Sequence, residues 1–203
     1  MGETESRRVR NSFQLSRDKA ALLVIDMQRY FIDKSSDAYV PDSEKLISKI
    51  KKLVDVFMKS GRPIIYTRHI DSDDKRNLML RWWKGQIKEA DPMSQIIEEL
   101  DAGKGIVFIK NQYDAFLNTN LKEILQQRDI QQVVVSGVLT NLCCETTARS
   151  AFMRGFEVYF TLDGTATYKK AMHDATSLNL AYGFAVLVSV DDVIKAIINT
   201  GKI

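Results

Sequence analysis

Three residues in the chain carry side chains suited to covalent chemistry, and each stands where a parallel sheet would use it. Cys143 follows the apolar run 132–136 and the turn VLTNL, at the expected start of the helix CCETTARSAFMRG. A helix N-terminus offers unpaired N–H groups and a partial positive charge. Both favour a thiolate and would lower the thiol pKa. Asp26 ends the apolar run 20–25, and Lys110 ends the run 106–109. Lysine supplies positive charge beside a thiolate. Aspartate can take the thiol proton and return it to a leaving group. Together they predict attack by a cysteine on a carbonyl carbon. Each also has an ordinary alternative: a small buried hydrophobe, a turn cap, and a lysine leaving the sheet for solvent.

The three positions converge only if the elements before them lie side by side. Six short runs, 20–25, 64–67, 106–109, 132–136, 158–162 and 185–188, are mostly rich in Val and Ile and apolar throughout. That is the pattern of strands buried on both faces of a parallel sheet. Amphipathic stretches separate them. Residues 43–60 place Leu46, Ile50, Leu53, Val54 and Phe57 at helical spacing, with Gly61 as the stop. Asp91 and Pro92 read as the cap and first turn of a helix through Ile96, Ile97 and Leu100. Further helices are predicted over 120–128, 143–154, 173–183 and 191–199. The alternation predicts an α/β fold, a three-layer α/β/α sandwich on a mostly parallel, six-stranded, doubly wound sheet. Ligands in such sheets bind at the carboxyl ends of the strands, so Asp26, Lys110 and Cys143 share one edge. Gln28 and Phe31 after the first strand, and Tyr113 after the third, are candidate pocket residues. The segment 71–85 reads as a polar, then aromatic loop over the sheet. Its Arg81, Trp82 and Trp83 suit a pocket or a subunit interface.

The chain has 203 residues, which predicts one domain over 18–203 behind an N-terminal tail over 1–17. Lys and Arg number 29 against 26 Asp and Glu, a net charge of +3 that makes no case for nucleic acid or an anionic membrane. No apolar run approaches the ~18 residues of a membrane span. The tail MGETESRRVRNSFQL lacks the apolar core of a signal peptide. Its Gly2 and Ser6 loosely fit a myristoylation pattern, and Arg7, Arg8 and Arg10 read as a solvated segment. The cysteines, Cys143 and Cys144, are adjacent, which speaks against a disulfide framework and for a reducing, cytoplasmic setting. Neither G-x-G-x-x-G nor G-x-x-x-x-G-K-[ST] occurs, so no nucleotide cofactor is expected.

Three segments carry a resemblance that spans nearly the whole chain. They are ALLVIDMQRYF, IKNQYDAF and SGVLTNLCCETTARSAFMRGFEVYFTLDGTAT, in that order and each at a strand end. They resemble the isochorismatase-like hydrolases, the cysteine hydrolase superfamily. The resemblance implies a triad of Asp26, Lys110 and Cys143. It implies a non-proline cis peptide between Val138 and Leu139, and an oxyanion hole made by the Leu139 and Cys143 N–H groups. It places Val138 and Thr140 beside the substrate, and allows His69 a contact there. It also implies a small-molecule substrate, no cofactor and a homo-oligomer, a dimer or tetramer.

Departures from the subfamilies narrow the expectation. Nicotinamidases carry an Asp-x-His and further histidines that bind a metal. Here His69 stands at one such place, and the second histidine, His173, lies far downstream. No metal is therefore expected, and a nicotinamidase is disfavoured on that ground. Isochorismate-cleaving enzymes often have Gly where Cys143 stands. The thiol favours cleavage of a C–N bond in a small amide or carbamoyl compound, with isochorismate hydrolysis as the alternative.

Overall fold

In the computed structural model, residues 13–41 and 43–199 are described. Six strands form one sheet: β1 (Ala20–Ile25), β2 (Ile64–His69), β3 (Ile106–Lys110), β4 (Gln132–Val138), β5 (Glu157–Ala166) and β6 (Val186–Val188). Their order is β3-β2-β1-β4-β5-β6, and every pairing is parallel. The helices are α1 (Arg29–Ile32), α2 (Ser43–Lys59), α3 (Met79–Trp82), α4 (Leu121–Gln127), α5 (Glu145–Met153), α6 (Lys170–Gly183) and α7 (Val190–Ile198).

The two-residue period of β1 explains the three layers. Leu22 and Val24 enter one core with Leu46, Ile50 and Leu53 of α2 and Val193 and Ile197 of α7. Ala21, Leu23 and Ile25 enter the other with Leu121 of α4, Ala148 of α5 and Leu180 of α6. A strand covered on both faces has no polar side to show, hence its unbroken apolar sequence. The chain builds outward from β1 to β3, then crosses back to β4 on the other flank of β1. The carboxyl ends of β1 and β4 therefore form the switch point where such sheets bind ligands. At that edge Gly137 has φ +118°, and a Cβ there would lie 2.1 Å from the Ile25 carbonyl oxygen. Only glycine lets the two strands approach so closely.

The structure departs from the sequence reading in the β2–β3 connection. No α-helix follows Asp91 and Pro92, which open a 3-10 turn (Pro92–Ser94), with a second at Glu98–Leu100. Asp91 does cap, its Oδ1 accepting from the Met93 N–H. The residues beyond are drawn into a strand-like bridge instead, Arg29 N–H donating to Gln95 O and Ile97 N–H to Met27 O. Packing also begins before residue 18. Leu15 is buried, and the Gln132 side chain bonds the backbone of Gln14 and Ser16. Gly2, Ser6 and the three arginines of the tail lie outside the described residues, as do residues 200–203. No helix among the described residues is long and apolar enough to cross a membrane.

Candidate active site

Asp26, Lys110 and Cys143 meet at the carboxyl edge of the sheet. Asp26 follows β1 in a left-handed conformation, φ +47°, which costs a non-glycine residue about 1–2 kcal/mol. Thr67 of β2 holds it there. The Thr67 hydroxyl donates to Asp26 Oδ1 at 2.6 Å and accepts from the Asp26 N–H at 3.0 Å. Lys110 crosses over from β3, and its Nζ reaches Asp26 Oδ2 at 2.7 Å, with both side chains fully buried. The same Nζ donates to the Gln112 carbonyl at 2.9 Å and to Cys143 Sγ at 3.5 Å. The buried ammonium is thus paired with a carboxylate and hydrogen-bonded to a carbonyl and a sulfur, as a buried lysine requires.

Cys143 stands in a π-helical turn (Thr140–Cys144) that runs into α5. The peptide between Val138 and Leu139, which opens this turn, is cis. Three side-chain bonds fix the turn to the far flank of the sheet. Thr140 Oγ1 pairs with His173 Nδ1 at 3.1 Å, Thr167 donates to Asn141, and Thr176 donates to Glu145.

The electrostatics revise one expectation. The sequence predicted a thiol pKa lowered by the helix end and by Lys110. Burial instead pushes the Cys143 thiol well above its usual range, and the Asp26 charge adds to this against the opposing pull of Lys110. The resting nucleophile is a thiol. For Asp26, burial works to raise the carboxyl, but Lys110, His69 and the bond to the Cys143 thiol overcome it and hold it lowered. For Lys110, burial works to lower the ammonium, and Asp26 and Cys143 leave it raised. The arrangement is a buried carboxylate–ammonium pair beside a protonated thiol, a base next to the proton it would take.

Cys143 opens into a cavity of about 560 Å³, within the usual range for small-molecule sites. Six aromatic residues line it: Tyr30, Phe31, Trp82, Trp83, Tyr113 and Tyr168. Leu139 and His69 also form wall. The loop after β2 closes one side. Its ends are clasped at Asp71 and Ile87, where the Asp71 N–H donates to Ile87 O and the Ile87 N–H donates to Asp71 Oδ2. Trp83 Nε1 donates to the Tyr113 hydroxyl at 2.9 Å. Trp83 is thereby placed at the cavity, and Trp82 at its exposed rim.

Four of the predicted pocket residues lie elsewhere. Gln28 is fully buried and its amide is spent on backbone. Its Nε2 donates to His69 O and Ser94 O, and its Oε1 accepts from the His69 N–H. Val138 is enclosed in the sheet, Thr140 is turned to His173, and Arg81 is exposed away from the cavity wall. Sequence reasoning missed Thr67, Asp71, Tyr30 and Tyr168. Thr67 and Asp71 flank His69 at a strand end, a signal that was available. Tyr30 stands in α1 beside the predicted Phe31, whereas Tyr168 is brought in from the connection between β5 and α6, and nothing local marks it.

The residues present do not fit a metal centre of the nicotinamidase kind. His69 Nε2 pairs with Asp71 Oδ1 at 3.0 Å, and no group of three or more His, Cys, Asp or Glu among the described residues could hold an ion.

This sheet order, with an Asp–Lys–Cys edge, defines an α/β hydrolase of the cysteine type. The Isochorismatase domain family matches residues 20–192, so the chain belongs to the isochorismatase-like hydrolases. Nicotinamidase 3 of Arabidopsis thaliana is 40% identical over 184 residues, 88% of this chain and 89% of that protein. Isochorismatase of Bacillus subtilis is 30% identical over 199 residues, 91% of this chain and 64% of that longer protein. The crystal structure of a cysteine hydrolase from Pseudomonas syringae pv. phaseolicola superposes with a TM-score of 0.89 at 25% identity, covering 97% of this chain and 100% of that one. The absence of a histidine metal set had argued against the nicotinamidases. The 40% relative removes that argument, and the chain is a family hydrolase similar to a C–N bond-cleaving member.

Proposed function

We propose that the chain hydrolyses the C–N bond of a small aromatic amide or carbamoyl compound through a Cys143 thioester. One observation carries this reading: Lys110 Nζ touches both Asp26 and Cys143 Sγ at the floor of an aromatic cavity. Asp26 takes the thiol proton as Cys143 Sγ attacks the carbonyl carbon. Lys110 balances the charge, and the Leu139 and Cys143 N–H groups receive the oxyanion. Asp26 passes its proton to the departing nitrogen, and the amine or ammonia leaves. A water, deprotonated by Asp26, then attacks the thioester. The acid departs and Cys143 regains its proton.

Nicotinamide is the first compound to test, given the name of the 40% identical relative. Isochorismate is a dianion, and the cavity wall meets it with Asp37 and Asp71 against Lys84, the Lys110 ammonium beneath Cys143 being paired with Asp26. The buried, unbridged cysteines favour a reducing compartment, the cytoplasm. The exposed Trp82 and Leu78 beside the cavity suit a homo-oligomer.

The test is ammonia release from nicotinamide, benzamide and N-carbamoylsarcosine, with hydroxylamine added to trap the acyl-enzyme as a hydroxamate. Turnover of at least one amide, hydroxamate formation, and a loss of about 10³-fold or more in Cys143→Ser are expected. Isochorismate cleavage that survives Cys143→Ser, without amide turnover, overturns the reading.

A further inference from the structure

The turn that carries the nucleophile also carries a buried hydroxyl that the covalent mechanism leaves unused. Thr140 stands between Leu139 and Cys143, whose N–H groups face the reacting carbonyl in the proposed mechanism, and it is fully buried. Its Oγ1 has one partner among the described residues, His173 Nδ1 at 3.1 Å. The proton inventory gives that bond a direction. A buried threonine hydroxyl needs an acceptor for its hydrogen, and no carbonyl or carboxylate among the described residues takes it. Thr140 therefore donates, Nδ1 accepts, and the imidazole hydrogen sits on Nε2. Burial lowers the His173 imidazole, which keeps this uncharged form at neutral pH.

His173 lies in the first turn of α6, a helix that buries Thr176 and Leu180 and leaves most of its surface to solvent. Polar bonds, more than a wide apolar face, hold the start of α6 to the nucleophile's turn: Thr167 to Asn141, His173 to Thr140 and Thr176 to Glu145. On the same segment Tyr168 forms cavity wall, and its hydroxyl donates to the Ala38 carbonyl at 2.9 Å. Within the turn the Leu139 carbonyl accepts from the Leu142 and Cys144 N–H groups at 3.1 and 3.2 Å, so residues 139–144 move as a unit with Thr140. We infer that His173 is a positioning residue for the hydrolysis: as acceptor of the Thr140 hydroxyl, it holds the Leu139 and Cys143 N–H groups in the orientation that receives the oxyanion. It touches no reacting atom, and none of its covalent bonds changes. A misaligned pair of donors stabilises the developing charge less, even where the sulfur keeps its reactivity. This deepens the amidase reading and rests on its covalent role for Cys143.

The test compares two reactions of the same thiol at one pH. 4-Nitrophenyl acetate acylates Cys143 through a tetrahedral oxyanion, and its leaving group needs no proton. Iodoacetamide alkylates by direct displacement and develops no oxyanion. Nitrophenolate release and peptide mapping give the two rates. His173→Leu and Thr140→Val should each slow acylation about tenfold to a hundredfold and leave alkylation within about twofold. The double variant should lie within about twofold of either single one, because both remove the same bond. His173→Asn places an acceptor oxygen where Nδ1 stood, and Thr140→Ser keeps the hydroxyl; each should hold acylation within about threefold of the wild type. If His173→Leu does not fold, Thr140→Val against Thr140→Ser makes the same comparison. With an amide that the wild type hydrolyses, kcat should follow the acylation rate while KM stays within about twofold. Unchanged acylation, an equal fall in acylation and alkylation, additive single effects, or no recovery in the Asn and Ser variants overturns the inference and leaves the amidase reading intact. The expected acylation pattern without turnover of any amide overturns the amidase reading and leaves His173 its role. A wild-type Cys143 that 4-nitrophenyl acetate does not acylate overturns both.

Discussion

Lys110 Nζ lies 2.7 Å from Asp26 Oδ2, and neither side chain reaches solvent. The contact spans the sheet, since β2 lies between the strands that carry them. Two charges are therefore fully buried at the carboxyl edge of the sheet, and each is tolerable only because of the other.

Removing one partner strands the other. Lys110→Met should cost about 3–5 kcal/mol in chemical denaturation, the usual result of leaving a buried charge unpaired. The double variant Asp26→Leu/Lys110→Met should recover most of that. The pH window follows from the directions. Asp26 is held below 3.8, so its contribution is present above the unfolded carboxylate's value and lost as pH falls through the lower folded one. Lys110 is raised above 10.5, so its share is present below that value and lost as pH rises through the folded one. Wild-type stability should be flat between these limits with respect to this pair. A steep change near neutral pH that disappears in the double variant would contradict the assignment.

The resting thiol sets up an inversion between reactivity and catalysis. Burial and the Asp26 charge both push the Cys143 thiol up. Iodoacetamide should therefore label Cys143 slowly at neutral pH and faster only in alkali. Asp26→Asn removes the negative charge and should speed labelling at neutral pH while abolishing amide turnover. Peptide mapping of the labelled site against time checks both. Slower labelling in Asp26→Asn than in the wild type would mean that Asp26 already holds the proton in the resting enzyme.

Thr67 holds Asp26 through two bonds, one to the carboxylate and one from its backbone. Thr67→Val keeps the shape and removes both. It should lower stability by about 1–3 kcal/mol and reduce kcat more than it changes KM. Thr67→Ser should recover most of kcat. Equal kcat for Val and Ser would assign Thr67 to packing alone.

The strands were the most legible part of the chain. β1 is found at the predicted residues, because an element buried on both faces is apolar at every position and has no other reading. The β2–β3 connection was the least legible. Asp91 and Pro92 carry a helix-start signal, and it is honoured for one turn. The bridge between Gln28 and Ile96, 68 positions apart, then captures the residues that should have continued it. The candidate site divides in the same way. Asp26, Lys110 and Cys143 each sit at a strand end and could be read one by one. Gln28 and Thr140 carry equally suggestive chemistry, and both are consumed by the scaffold.

The sequence by itself determined the strand pattern, the order of the layers and the three reactive side chains, because burial on two faces and the position after a strand leave marks in consecutive residues. Tertiary structure alone decided the charge state of the nucleophile, the wall of the cavity and the partner of His69. A pKa depends on the charges and the depth of protein around a group. In this chain those come from Asp26, Lys110 and Cys143, residues more than 30 positions apart that the parallel sheet brings to a single edge.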